Sequence, residues 1–333
     1  MAAGEGCSAT EIPDQGEGGM IYPWLTEHWS FFLSRLEQER LAHALMIEGP
    51  AGSGKQALAT AMVKKLLCSD DQPEACGQCR SCKLITGGAH PDRFDIQPEE
   101  GSDVIKVDQV RALIASLNLT SSISARKVAC IHPADAMNMA AANALLKSLE
   151  EPVGDAVLIL VCSVPTKLPI TIRSRCQSIA VSQPDSQLVL EWLEKHTDES
   201  RARVEAALQA AGGSPLRAAG YIASPDLDAY VQVQQGLATL LQHPGSVSRV
   251  STQLGELSPD DLWRWLSTSM RDAVKSVLAG TPAEWLPAGM HFEAKSLLGL
   301  QKQADVNRRL STTPLRGDLL LQDWLIRWVE QSI

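Results

Sequence analysis

HALMIEGPAGSGKQALATAMVKKLL, His43 to Leu67, is the stretch that decides the fold. A short, mostly apolar run from His43 to Ile47 enters a glycine-rich turn, and Leu58, Ala61, Met62 and Leu66 leave it at helical spacing. The order is strand, loop, helix. Gly49-Pro50-Ala51-Gly52-Ser53-Gly54-Lys55 fits a phosphate-binding loop, in which backbone N–H groups and a helix N-terminus surround phosphates while the lysine neutralises charge. A Ser or Thr hydroxyl that holds Mg²⁺ normally follows the lysine. Here Gln56 stands there, and its amide is a poor replacement. Such a loop either binds nucleotide weakly or persists as an element of the fold.

Working outward, Arg93-Phe94-Asp95-Ile96, Lys127 to Ile131, Ala156 to Cys162 and Gln177 to Val181 read as further strands. Helical patterns lie between them, at Val107 to Leu117 and at Ala140 to Glu151, the latter stopped by Pro152. Strands alternating with helices behind a phosphate loop predict an α/β fold, a parallel sheet wrapped by helices. In hydrolysing relatives of this architecture the strand at Lys127–Ile131 ends in two acids, one holding Mg²⁺ and one positioning the attacking water. Those places are His132 and Pro133. Proline has no basic group, and histidine suits a hard, oxygen-seeking cation poorly. Asp135, a little further on, reads as the cap of the next helix. Three departures from the hydrolytic pattern together weigh more than any one of them.

Tyr22 to Arg40 carries Trp24, Leu25, Trp29, Phe32, Leu33 and Leu36 at near-helical spacing, an opening helix that packs on the first strand. Residues 1–19 are polar and glycine-rich without an apolar signal core, so they read as a disordered tail and not a secretory leader, with Met20 a candidate start. At 333 residues the chain has room for two or three domains, and a net charge of −9 argues against a surface dominated by DNA phosphates. No run approaches the roughly 20 apolar residues that span a bilayer, which predicts a soluble, cytoplasmic protein with no membrane partner.

Of eight cysteines, four are clustered as Cys68, Cys76, Cys79 and Cys82, with two Cys-x-x-Cys steps. Four thiolates match a tetrahedral Zn²⁺ site and leave no open position for a substrate water, so the metal is structural. Redox chemistry is the alternative, but such motifs do not usually come as three evenly stepped cysteines. Cys130, Cys162 and Cys176 read as small core residues and Cys7 falls in the tail. His90 of His90-Pro91-Asp92 reads as a turn residue, since the four sulfurs already complete a metal shell.

Beyond Gln183-Pro184-Asp185 no strand is predicted. A small helical module at Leu188–Leu193, Arg201–Ala211 and Pro215–Ile222 precedes long amphipathic patterns at Leu227–Leu241, Val247–Leu257, Asp260–Leu278, Phe292–Leu310 and Leu319–Trp328. Five tryptophans, Trp263, Trp265, Trp285, Trp324 and Trp328, suit the core of a helical bundle.

Several stretches together resemble the delta-prime family of bacterial DNA polymerase III clamp-loader subunits. They are Tyr22-Pro23-Trp24-Leu25, His43-Ala44-Leu45, the four-cysteine insertion, His90-Pro91-Asp92, Ala142 to Pro152, Ser174-Arg175-Cys176 and Gly317 to Trp324. The resemblance implies an AAA+ parallel sheet over residues 20–182, with its zinc module at 68–82, then a helical lid over 183–223 and an all-α collar over 224–333. It also implies a five-subunit ring in which ATP bound by one subunit is completed by an arginine of the next. By its match to the family's Ser-Arg-Cys motif, Arg175 is that arginine finger, acting in trans on a motor subunit. Gly213-Ser214-Pro215-Leu216-Arg217 resembles the sensor-2 region, which makes Arg217 a candidate phosphate contact beside Gly49, Gly52, Gly54 and Lys55 of a degenerate nucleotide site. The implied partners are the ATPase motor subunits and the delta subunit, and, through the assembly, the sliding clamp and primed DNA. The implied role is a stator without hydrolysis of its own, and any polymerase label describes the holoenzyme. Residual ATP binding stays open, because the loop glycines and Lys55 are kept. An active motor subunit is the nearest rival, against which Gln56, His132 and Pro133 speak, and a zinc-containing nucleic-acid-binding module is the rival from another class.

Overall fold

The computed structural model describes residues 21–152, 154–281, 283–311 and 316–331, so the expectations for the N-terminal tail and Cys7 lie outside the described residues. The chain divides into two compact units, one of residues 21–192 with 214–216, the other of 193–213 with 217–331.

In the first unit a 3₁₀ turn at Pro23–Leu25 leads into α1 (Thr26–Glu37), β1 (Ala44–Glu48), α2 (Lys55–Leu67), α3 (Arg80–Thr86), β2 (Arg93–Ile96) and α4 (Val107–Leu117). β3 (Val128–Ile131), α5 (Met139–Glu150), β4 (Val157–Cys162), α6 (Ile170–Arg173) and β5 (Gln177–Ala180) follow, and α7 (Ser186–His196) begins here. The five strands form one sheet in the order β2-β3-β4-β1-β5, every neighbour parallel. Sequence explains the order. The six residues of β4, Val-Leu-Ile-Leu-Val-Cys, are all buried and occupy the centre, whereas the mixed β2 and β5 take the edges. Successive side chains of a strand face opposite ways. Ala44 and Met46, Ala129 and Ile131, and Leu158, Leu160 and Cys162 therefore meet one helical layer, built from Val110, Leu113 and Leu117 of α4 and Ala142, Leu145 and Leu149 of α5. The intervening residues face the other way, where α2 packs on β1, β3 and β4.

The second unit is helical throughout its described residues. The end of α7 and α8 (Arg201–Ala210) lead to α9 (Pro215–Ile222), α10 (Asp226–Gln242), α11 (Val247–Leu254), α12 (Pro259–Ala279), α13 (Ala294–Leu310) and α14 (Gly317–Val329). Tryptophans organise its core. Trp265 lies among Tyr221 and Tyr230, and the indole N–H groups of Trp324 and Trp328 donate to the carbonyls of Leu300 and Leu237, each at 3.0 Å. No helix of the described residues is long and apolar enough to cross a membrane.

Candidate functional site

The glycine-rich loop joins the end of β1 to α2, and its glycines take backbone conformations that other residues resist. Gly52 and Gly54 have φ of 75° and 88°, and a Cβ on Gly49 would stand 2.0 Å from the Val181 carbonyl oxygen. Lys55 is the first residue of α2, buried to 5% exposure, and its ammonium donates to the Pro50 carbonyl at 2.6 Å. Burial holds its pKa below the usual lysine value, partly offset by Cys162 and Asp135. Behind the loop, Trp24 stacks on Tyr22 and donates from its indole to the Ser53 carbonyl at 2.9 Å, while Trp192 meets both rings edge-on. Tyr22 also closes on Gly54, where a Cβ would approach the ring to 2.8 Å. The Tyr-Pro-Trp-Leu motif thus buttresses the glycine-rich loop, a role its helical spacing did not signal. Ser214 and Leu216 add two bonds, from the Ser214 hydroxyl to the Ala51 carbonyl at 3.1 Å and from the Leu216 amide to Gly52 at 3.2 Å.

Gln56 follows Lys55 at the loop end of α2, and His132 lies close enough to feel the Lys55 charge. Gln56 is exposed. His132 stands just past the end of β3, and its pKa is lowered by burial first and by the Lys55 charge second, which favours the neutral imidazole. Asp135 does not cap the following helix, a correction to the sequence expectation. It sits in a 3₁₀ turn at Ala134–Ala136 and accepts from the amides of Ser163 and Val164, at 3.1 and 3.2 Å, beyond the end of β4. Asn138 caps α5 instead, accepting from the Ala141 amide at 2.8 Å, because only the residue directly before a helix reaches the amides of its first turn. Among the described residues the only cluster of three or more His, Cys, Asp or Glu able to hold a metal is the four cysteines.

Those four sulfurs lie within 4.8 Å of one another, with Cys68 Sγ 3.6 Å from Cys76 Sγ and 3.9 Å from Cys79 Sγ. A tetrahedron of Zn–S bonds about 2.3 Å long has edges of about 3.8 Å, so the donor set and its spacing fit the ion. Backbone amides point at the sulfurs: Asp70 and Cys76 donate to Cys68, Cys79 to Cys76, and Cys82 to Cys79, each at 3.4 Å. Burial disfavours ionisation at Cys79, but hydrogen bonds from Ser69 and Cys82 outweigh it and bring that thiol down to about 5. Burial and the neighbouring Cys79 hold Cys82 up at about 12. The second half of the motif is helical, with Cys79 capping α3.

His90 is more than a turn residue. Its Nδ1 accepts from the Asp92 amide at 3.1 Å, which leaves the proton on Nε2 to reach the hydroxyls of Ser81 at 3.1 Å and Ser124 at 3.2 Å. It bolts α3 to the loop before β3.

Arg175 follows α6, with its side chain 35% exposed. Its Nη2 meets the Glu150 carboxylate at 2.6 Å and its Nη1 donates to the Thr171 carbonyl at 3.0 Å. Arg217 falls in the second unit, half-buried in α9, where burial and the charge of Arg264 lower its pKa.

A five-stranded parallel sheet in the order β2-β3-β4-β1-β5, with a glycine-rich loop between β1 and α2 and helices on both faces, is the fold of an AAA+ domain. The sequence profile of the family described as DNA polymerase III, delta subunit, matches residues 24–185. DNA polymerase III subunit delta' of Pseudomonas aeruginosa is 40% identical over 247 residues, 74% of this chain and 74% of that one. The subunit delta' of Escherichia coli is 34% identical over 255 residues, 76% of each chain, and that of Yersinia pestis 34% identical over 326 residues, 92% of this chain and 95% of that one. The chain belongs to the DNA polymerase III subunit delta' family.

Proposed function

We propose that this chain is a non-hydrolysing stator subunit of a DNA polymerase III clamp loader, and that it supplies Arg175 in trans to ATP held by a neighbouring motor subunit. The observation that carries the reading is a contrast within one sheet. Its own phosphate loop lacks a metal hydroxyl at Gln56 and metal-binding acids at His132 and Pro133, while Arg175, outside that loop, keeps a partly exposed guanidinium. A cation directed at the charge that develops on a transferred phosphoryl group is worth roughly 10³- to 10⁵-fold in rate.

In this reading the chain works in a hetero-oligomer with ATPase motor subunits and a delta subunit, and meets the sliding clamp and primed DNA through the assembly. Residues 20–182 are the AAA+ part, 183–223 the lid and 224–333 the collar. Gly49, Gly52, Gly54, Lys55 and Arg217 are the remains of a nucleotide site. Cys68, Cys76, Cys79 and Cys82 hold a structural Zn²⁺, which cross-links a loop that has little core of its own.

DNA- and clamp-stimulated ATP turnover by the reconstituted loader, with this chain as wild type or Arg175→Ala, tests the reading. The expected result is a fall of about 10³-fold or more at the nucleotide site that Arg175 completes, with the assembly intact. Unchanged turnover in an intact assembly would leave the chain as scaffold only.

A further inference from the structure

The guanidinium of Arg175 is held against its own subunit. Nη2 is bonded to Glu150 Oε1 at 2.6 Å and Nη1 to the Thr171 carbonyl at 3.0 Å. Glu150 is the last residue of α5, where a helix presents partial negative charge that adds to the pull of the carboxylate. Both terminal nitrogens of the fork are therefore engaged within the chain, and a planar fork binds phosphate best through paired N–H groups.

We infer that Glu150 is a latch for the arginine finger, a positioning residue that competes with the phosphate oxygens of the neighbouring subunit's nucleotide for Arg175. The inference rests on the trans role proposed for Arg175. The two side chains are 35% and 50% exposed, so the latch is a light one. An ion pair of this exposure shifts an equilibrium by about five-fold at most, against the far larger attraction of a triphosphate. It sets how often the finger stands free before the neighbour engages it, and leaves the engaged state almost untouched. Thr171 contributes through its carbonyl, so a side-chain substitution there leaves that bond in place. Glu150 is the adjustable partner.

Four loaders, carrying this chain as wild type, Glu150→Gln, Arg175→Ala and the double variant, separate the latch from the finger. Without DNA, E150Q is expected to raise ATP turnover by about two- to five-fold. R175A is expected to lower turnover, and E150Q to change nothing in the R175A background, an outcome that a merely structural role for Glu150 would not produce. If R175A matches wild type, the finger itself is overturned. If R175A is slow while E150Q equals or falls below wild type, the finger stands and the latch is overturned. The full-length chain alone supplies a second readout that needs no assembly. Phenylglyoxal modification of Arg175, followed by peptide mass, is expected to proceed about two- to five-fold faster in E150Q, and equal rates would overturn the latch.

Discussion

The ammonium of Lys55 donates to the carbonyl of Pro50 at 2.6 Å, across the loop whose helix Lys55 begins. A charge buried to this extent is costly unless bonded, and the loop's own carbonyl supplies the bond. The loop thus closes on itself. Gln56 is exposed, burial and the Lys55 charge favour a neutral His132, and Asp135, a carboxylate whose charge acts on Lys55, is engaged by the Ser163 and Val164 amides. ATP turnover by the purified full chain is therefore expected to stay at the blank, and Lys55→Met to leave it there. Turnover that K55M abolishes would restore this chain to the motors.

The sheet was readable because its signals are local: a glycine-rich turn, apolar runs of four to six residues, and helices stopped by proline. The strand at Arg93–Ile96 and the helix at Val107–Leu117 fall where the pattern puts them. The four sulfurs were readable for the same reason, since their spacing alone brings them together. Long-range relations were not. Asp135 looked like a helix cap because it precedes a helix, yet its partners, Ser163 and Val164, lie 28 and 29 residues away on the neighbouring strand's end. Trp24 meets Ser53 across 29 residues, and Arg175 meets Glu150 only because α5 and α6 pack together. Nothing in the sequence named Glu150 as the partner of Arg175. Periodicity names the buried face of an element and not the residue that covers it.

Metal removal gives a local outcome. Residues 71–74 are exposed, and the loop is tied by its four sulfurs and by the buried Lys65 ammonium, which donates to the carbonyls of Asp70 and Gln72. Chelation is expected to raise hydrogen exchange across residues 68–86 while β1, β3 and β4 keep their protection. Cobalt substituted into the full chain is expected to give the absorption of a tetrahedral four-thiolate site, with one ion per chain, and Cys79→Ser to lose it. Uniform loosening of the sheet on chelation would make the metal part of the main core.

Acid stability follows from His90 and Asp92. The Asp92 carboxylate, 0% exposed, accepts from the amides of Ser122, Ile123 and Ser124 at 2.6, 2.7 and 2.9 Å. Burial pushes its pKa up, but the three bonds outweigh burial and hold it below the ordinary value. Its contribution is thus full above about pH 4 and is lost as pH falls through the depressed value. Burial also lowers the pKa of His90, so the unfolded chain takes up that proton first, and stability falls as pH drops below about 6.5. Asp92→Asn is expected to cost about 3 kcal/mol at pH 7, by leaving amides poorly satisfied, and the gap from wild type to narrow below about pH 4. His90→Gln is expected to flatten part of the slope below pH 6.5, with His132→Asn as the control for the other depressed imidazole. A slope that H90Q leaves unchanged would remove His90 from the acid response.

Trp328 separates packing from hydrogen bonding in the helical unit. It is 0% exposed, stacks on Phe292 with centroids 5.3 Å apart, and donates from its indole to the Leu237 carbonyl at 3.0 Å. Trp328→Ala removes ring and donor together and leaves a cavity, so it is expected to cost about 3–5 kcal/mol. Trp328→Phe keeps an aromatic ring but withdraws the donor. The Leu237 carbonyl lies inside α10, where it also faces the amide one turn on, so losing the indole does not strand it. The expected cost of W328F is about 1–2 kcal/mol, divided between the missing bond and the smaller ring. Denaturant unfolding of both variants measures the two effects, with the midpoint shift of W328A at least twice that of W328F. Equal shifts would mean that the bond to Leu237, and not the ring's bulk, holds α14 on α10.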